Sequence, residues 1–321
     1  MDAADAYLWL IENSKGSNKI GTTLKGIGPA YRDKVDRIGF RLIDFKNKDF
    51  FRNKFYSMCD FLRQGPFSDW HDPYNDDGDE LRKLEKHFDY IKDRVIDTVP
   101  LINNYVDAGK KVIFEGAQGT FIDIDHGSVY PYVTSSSPTA GGACLGAGIG
   151  PIKIKEVIGV TKAYTTRVGS GPFVTELEHY PFLGMEETKI ADWIIDKGNE
   201  YGTTTKRMRR VGWLDLVALK RAVQVNGITS LAITKLDILS GLEYVKACIG
   251  YSLAEKTIDF FPNDLVTIEK VQPIYKEFSG WSESDNLLDV TKHYVEFIEN
   301  FVGVKIKIIS TGRNRDDTIT L

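Results

Sequence analysis

The sequence predicts an α/β fold, with a mostly parallel central sheet flanked by helices in a single domain over residues 1–321. Two observations carry this. Short apolar runs (KKVIF, EVIGVTKAY, LAITKLD and VKIKIIS) give way to glycine-rich or polar residues at their carboxyl ends. Between them lie stretches with helical spacing of apolar residues. In such sheets ligands bind beyond the carboxyl ends of the strands, where these polar loops gather.

Taken in order, the opening residues place Ala4, Tyr7, Leu8 and Ile11 on one helical stripe that stops at Lys15-Gly16. IGTTLKGIGPAY is a glycine-rich loop, followed by aromatic-rich helical sequence through Leu62. Residues 64–80 form a polar connection, and helical periodicity resumes from Leu81 to Tyr105. KKVIF is then a short buried strand running into GAQGT. WLDLVALKRAVQ places Trp213, Leu216, Val217 and Val223 on a helix stopped by Gly227. LAITKLD and VKIKIIS are the last strands.

The 321 residues are 42% hydrophobic and 27% charged, with a net charge of −4, so no basic field points to nucleic acid. Cys59, Cys144 and Cys248 lack metal-ligand spacing and read as reduced, buried thiols. No apolar run is long enough to cross a bilayer, and the first residues lack the basic n-region of a signal peptide. The expected location is the cytoplasm.

Several segments are suited to chemistry. Gln118, between glycines at a strand end, can approach a phosphate or a ring, although a tight strand-to-helix turn uses the same residues. Thr22, Thr23 and Lys25, and the hydroxyl-rich run Val133–Thr139, are open to the same two readings. GTTTKRMRRVGW packs Lys206, Arg207, Arg209 and Arg210 between glycines, which favours an anion-binding loop over a solvated face. TKLD sets Lys235 and Asp237 two apart at a strand end; a carboxylate there can read guanine, and an ordinary ion pair has the same appearance. Asp123, Asp125 and His126 read as turn formers rather than metal ligands. GxSxG, a strand-following GxGxxG and GxxxxGK[ST] are all missing from the sequence.

Seven ordered stretches together resemble the adenylosuccinate synthetase family: GTTLKGIGPAYRDKVDRIGF, FEGAQGTFIDIDHGSVYPYVTSSSPTAGG, KAYTTRVGSGPFVTEL, GTTTKRMRRVGWLDLVALKRAVQ, AITKLDILSGL, VQPIYKEFSGW and IISTGRNRDDTI. The resemblance implies that family's GTP-binding fold without its N-terminal strand region. The implied activity is GTP-dependent ligation of L-aspartate to IMP in AMP synthesis, with Mg2+ as cofactor. Thr23, Gln118, Thr134 and Val168 match residues around IMP, and Arg37 matches an arginine crossing to the partner site, which implies a homodimer. Thr203, Thr204, Thr205 and Arg207 match the aspartate loop, where Arg207 also faces IMP and Arg209 lends support to both aspartate and GTP. Lys235, Asp237, Ser310, Thr311 and Gly312 match the guanine pocket.

Lys206, Met208 and Arg313 depart from the family pattern, with Lys206 standing where glycine is usual and Arg313 where proline is usual. The family's catalytic acid, base and magnesium ligand come from a GDEGKGK-type segment and a later histidine that match nothing in this sequence. An alternative reading is therefore a non-catalytic nucleotide-binding chain, or one that works with a separate N-terminal piece.

Overall fold

The computed structural model describes residues 12, 16, 20–23, 25–64, 77–178, 186–202 and 206–321. The expected opening helix, the polar connection and Thr203, Thr204 and Thr205 lie wholly or mostly outside them. Where the sequence reading takes one domain, the described chain falls into two compact units, 1–113 with 147–149, and 114–146 with 150–321.

The first unit is helical: α1 (Ile27–Val35), α2 (Lys48–Gln64), α3 (Asp77–Ile91) and α4 (Thr98–Asp107). Its core is aromatic. Phe51, Phe55, Cys59 and Leu81 are buried, and the Phe45 ring stacks on Phe51 at 3.7 Å and on Phe88 at 4.9 Å between centroids.

The second unit holds two sheets. β1 (Ile158–Lys162), β4 (Ser230–Thr234), β8 (Ile306–Ser310) and β9 (Thr318–Thr320) lie side by side in that order. The pairs β1–β4 and β4–β8 are parallel, and only β9 runs antiparallel. β4 is central, and Leu231 and Ile233 are fully buried. The second sheet contains β2 (Tyr164–Arg167), β3 (Arg210–Asp215), β5 (Tyr244–Leu253), β6 (Lys256–Ile258) and β7 (Gln272–Ser279). There only β3–β5 is parallel; the β2–β3, β5–β6 and β5–β7 pairs are antiparallel. The fold is α/β as expected, with mixed sheets.

Helices α5 (Ala140–Ala147), α6 (Glu186–Gly198), α7 (Leu216–Asn226), α8 (Leu265–Ile268), α9 (Leu287–Val290) and α10 (Lys292–Val302) complete the unit. α7 is set by its ends: Asp215 accepts from the Ala218 N–H at the N-cap, and Gly227, at φ 60°, closes the last turn. Three readings of the sequence need correction. Trp213 belongs to β3, because its backbone pairs with Tyr164 before Asp215 starts the helix. The expected strand at Lys110–Phe114 is not formed, since no described strand pairs with it, and Ile113 is 89% exposed. The antiparallel pairing of β5 with β7, across the intervening β6, went unpredicted.

Candidate functional site

The carboxyl ends of the second unit's strands carry the polar residues that the sequence singled out. Beyond β4 the chain turns sharply at Lys235, whose φ of 67° is left-handed and whose Nζ donates to the Gly198 carbonyl at 2.8 Å. That bond ties the strand end to the last turn of α6. Asp237 follows at the start of a short 3-10 turn. Among the described residues, none donates a hydrogen bond or forms an ion pair to its carboxylate.

Asp237 and Thr311 line one cavity of about 270 Å3, together with Lys197, Ser240, Ser282 and Glu283. Thr311 follows β8, and both its N–H and its hydroxyl donate to the Asp317 carbonyl. The Ser310 hydroxyl donates to the Gly312 carbonyl at 3.1 Å. A side chain at Gly312 would collide with the Asp317 carboxylate. The turn after β8 therefore requires glycine to keep this wall closed. Arg313 continues the wall and donates to the Lys197 carbonyl at 3.4 Å. The structure thus brings Asp237 and Thr311 together across neighbouring parallel strands, although 74 residues of sequence separate them.

A second group gathers around residues 117–136. Gln118 has a left-handed backbone, φ 66°. The Ser136 hydroxyl lies 3.4 Å from the Gln118 amide oxygen and 3.3 Å from the Thr134 hydroxyl. Asp123 is buried and accepts from the N–H groups of Asp125 and His126, each at 2.9 Å, and from Thr139 at 3.4 Å. Burial pushes the Asp123 carboxyl up, but those backbone donors outweigh it and hold the group below its ordinary range. Asp123 thus holds a turn, as the sequence reading favoured.

Arg167 joins this wall to the loop after β2. Its guanidinium donates to the Tyr132 carbonyl at 3.3 Å, to the Ser128 hydroxyl at 3.3 Å and to the Ser170 carbonyl at 2.9 Å. Gly171, at φ 103°, passes so close to the Tyr132 ring that a Cβ would stand 2.6 Å from it. Val168, in the loop after β2 that Arg167 braces, is 42% exposed. Arg210 holds the same loop from β3, donating to the carbonyls of Gly169 and Gly171 and pairing with Glu176. Sequence reading missed Arg167 and counted Arg210 only as part of a charge run. The TTR ending of a strand before a glycine pair was the available signal.

The basic loop lies between α6 and β3. Tyr201 bridges to Met208, Gly202 N–H donates to the Arg207 carbonyl, and Lys206 N–H donates to the Gly202 carbonyl. Lys206 adopts φ 55°. Arg209 Nη1 donates to Glu200 at 2.6 Å. Thr203, Thr204 and Thr205 lie outside the described residues. In the first unit, Thr23 is exposed, and exposed Arg37 follows α1 with φ 65°. Thr23 and Arg37 belong to a different unit from Gln118, Thr134, Val168, Arg207, Arg209, Lys235, Asp237, Ser310, Thr311 and Gly312.

Comparison with known proteins identifies the family. A family model described as adenylosuccinate synthetase matches residues 4–319. The adenylosuccinate synthetase of Thermodesulfovibrio yellowstonii is 48% identical over 321 residues, spanning 96% of this chain and 72% of the relative. That of Caldanaerobacter subterraneus subsp. tengcongensis is also 48% identical, over 97% of this chain and 72% of its own length. The fully ligated adenylosuccinate synthetase structure from Plasmodium falciparum superposes with a TM-score of 0.90 at 36% identity, covering 99% of this chain and 75% of that one. This chain therefore belongs to the adenylosuccinate synthetase family of GTP-dependent carbon–nitrogen ligases.

Proposed function

We propose that the chain binds GTP, IMP and L-aspartate and orients them for ligation to adenylosuccinate through 6-phosphoryl-IMP. In that reaction the γ-phosphoryl group passes from GTP to O6 of IMP, releasing GDP, as N1 gives up its proton. The aspartate amine then forms the C6–N bond, and phosphate leaves with O6. The single observation that carries the reading is the open carboxylate of Asp237 on the same cavity wall as Thr311. A carboxylate with free lone pairs suits the adjacent N1–H and 2-amino group of guanine, neither of which adenine has. Lys235, held against Gly198, supplies an aliphatic stem beside it.

Gln118, Thr134 and Val168 are the IMP-binding residues proposed in the second unit and Thr23 the one proposed in the first, with Arg207 assigned to both IMP and aspartate. The two arginines, Arg207 and Arg209, match the planar carboxylates of aspartate. Arg37 is the proposed contribution to a partner's site in a homodimer. Magnesium is the cofactor expected of the family. Among the described residues, no group of three His, Cys, Asp or Glu side chains is placed to hold a metal ion, so no step here runs through it. Proton transfer is likewise assigned to no described residue; the roles given to this chain are binding and orientation.

The test is nucleotide selectivity. GTP and ATP affinities are measured for the purified chain and for Asp237→Asn. The unsubstituted chain is expected to favour GTP, and the variant to lose about tenfold of that preference, the scale of one charge-assisted hydrogen bond. Equal selectivity in both proteins overturns the reading. Turnover with IMP, GTP, aspartate and magnesium separates a ligase from a chain that only binds nucleotides.

A further inference from the structure

Glu200 is a fully buried carboxylate that the proposed reaction does not use. It lies two residues beyond α6, where the basic loop begins. Three donors converge on it: Lys162 Nζ at 2.8 and 2.9 Å, the Tyr164 hydroxyl at 2.5 Å, and Arg209 Nη1 at 2.6 Å. Burial pushes its carboxyl up, yet the bonds from Lys162, Tyr164 and Arg209 outweigh that and keep it ionised. Its main chain is engaged as well. The Arg209 N–H donates to the Glu200 carbonyl at 2.8 Å, and the Glu200 N–H donates to the Ile195 carbonyl at 2.9 Å. Glu200 and Arg209 are thus bonded to each other by both backbone and side chain, at the two ends of the basic segment.

The donors come from three elements. Lys162 ends β1, Tyr164 opens β2 and Arg209 precedes β3. One carboxylate therefore fixes the basic loop to the ends of strands from both sheets. It also holds two cations side by side that would otherwise repel. Lys162 gains a further anchor at the Thr166 hydroxyl, 3.0 Å away.

We infer that Glu200 is a positioning residue, holding Arg209 and Lys162 in fixed orientation so that the basic loop presents its arginines to an anionic substrate. The substrate part rests on the nucleotide reading above; the hold on the loop does not. The sign of the effect distinguishes positioning from charge balance. Removing a negative charge beside two cations should by Coulomb's law alone tighten anion binding. If Glu200 positions the cations, neutralising it weakens binding instead.

The experiment compares the full chain with Glu200→Gln, Arg209→Ala and the double variant, by GTP titration and by the rate of tryptic cleavage after Lys206 and Arg207. Glu200→Gln is expected to weaken GTP about tenfold and to speed cleavage of the loop about tenfold, the scale of a lost charged hydrogen bond. In the Arg209→Ala background the same substitution should change GTP affinity less than about twofold, because its effect passes through the arginine. Tighter GTP binding, an equal loss in the Arg209→Ala background, or an unchanged cleavage rate overturns the inference. Should Glu200→Gln fail to fold, Tyr164→Phe removes one donor without altering charge, and both readouts should move in the same direction by a smaller factor; no movement overturns it. If the unsubstituted chain binds no GTP, the nucleotide reading falls, while the cleavage rates still decide whether Glu200 holds the loop.

Discussion

LAITKLD and KVIFEGAQG have the same sequence character, a short apolar run followed by polar or glycine residues, but different structures. The first forms β4, paired in parallel on both sides by β1 and β8, with Leu231 and Ile233 fully buried. The second forms no strand among the described residues, and Ile113 is 89% exposed. A strand exists through neighbours that take its N–H and C=O groups, so identical local preference gives opposite outcomes. The turns that follow nevertheless agree. Lys235 and Gln118 both take left-handed backbones, φ 67° and 66°. Such a conformation costs a non-glycine residue on the order of 1 kcal/mol and persists where its surroundings enforce it. The turn chemistry at a candidate site thus survives where the strand before it does not.

The largest test of this contrast is to cut the same side chain in each run. Ile233→Ala in β4 removes a fully buried side chain and should cost about 3–4 kcal/mol. Ile113→Ala should cost less than about 0.5 kcal/mol, as for an exposed surface position. Denaturant midpoints for the two variants check both values. Similar losses would show that Ile113 is buried in solution, and the contrast would then vanish.

That contrast also explains what was legible in the sequence. β4, β8 and the end of α7 were readable because short apolar runs and a closing glycine are local signals. Asp237 and Thr311 could each be named, but their meeting depends on the β4–β8 register, which no local signal carries. Trp213 was misplaced because its apolar neighbours fit helical spacing as well as a buried strand. Glu200 and Arg167 were missed because an isolated charged residue reveals its partners only once three elements converge on it. The second sheet's antiparallel pairs were missed for a related reason: β5 alternates Val245, Ala247, Ile249 and Tyr251, but its partner β7 lies beyond β6 in the chain, and that pairing is not a local signal.

A smaller effect sharpens the buried-versus-exposed comparison at two helix caps. Asp215 and Asp264 each accept a backbone N–H at a helix start. Burial pushes the Asp215 carboxyl up to about 6, with the Tyr251 hydroxyl bonded at 2.7 Å. The bonds from Thr267 hold exposed Asp264 below its ordinary range. The two signs are opposite. Because the folded-state value of Asp215 exceeds its unfolded value of about 3.9, its contribution is full below pH 4 and is lost as pH rises through about 6, a fall of about 3 kcal/mol. The contribution of Asp264 is present above its unfolded value and is lost as pH falls through its folded value. Asp215→Asn keeps the cap. Its stability relative to the unsubstituted chain should climb from near zero at pH 4 to about 3 kcal/mol at pH 7. A pH-independent difference would mean that Asp215 is not titrating in the burial seen here.

The smallest effect concerns a third left-handed residue, Lys206, in the basic loop. Lys235 and Lys206 share this backbone conformation but differ in what the side chain does. Lys235 bonds the Gly198 carbonyl, whereas no described residue bonds Lys206 Nζ. The turn at Lys206 is imposed by two backbone bonds, Lys206 N–H to the Gly202 carbonyl and Gly202 N–H to the Arg207 carbonyl, both 2.8 Å. Glycine meets that geometry without a Cβ penalty, and its extra freedom in the unfolded chain offsets part of the gain. Lys206→Gly should therefore stabilise the fold by about 0.5–1 kcal/mol, while Lys235→Gly gains nothing because it forfeits a bond of similar worth. Chemical denaturation of the two variants decides it. A loss of stability in Lys206→Gly would show that the lysine side chain carries a contact that outweighs the strain of its backbone.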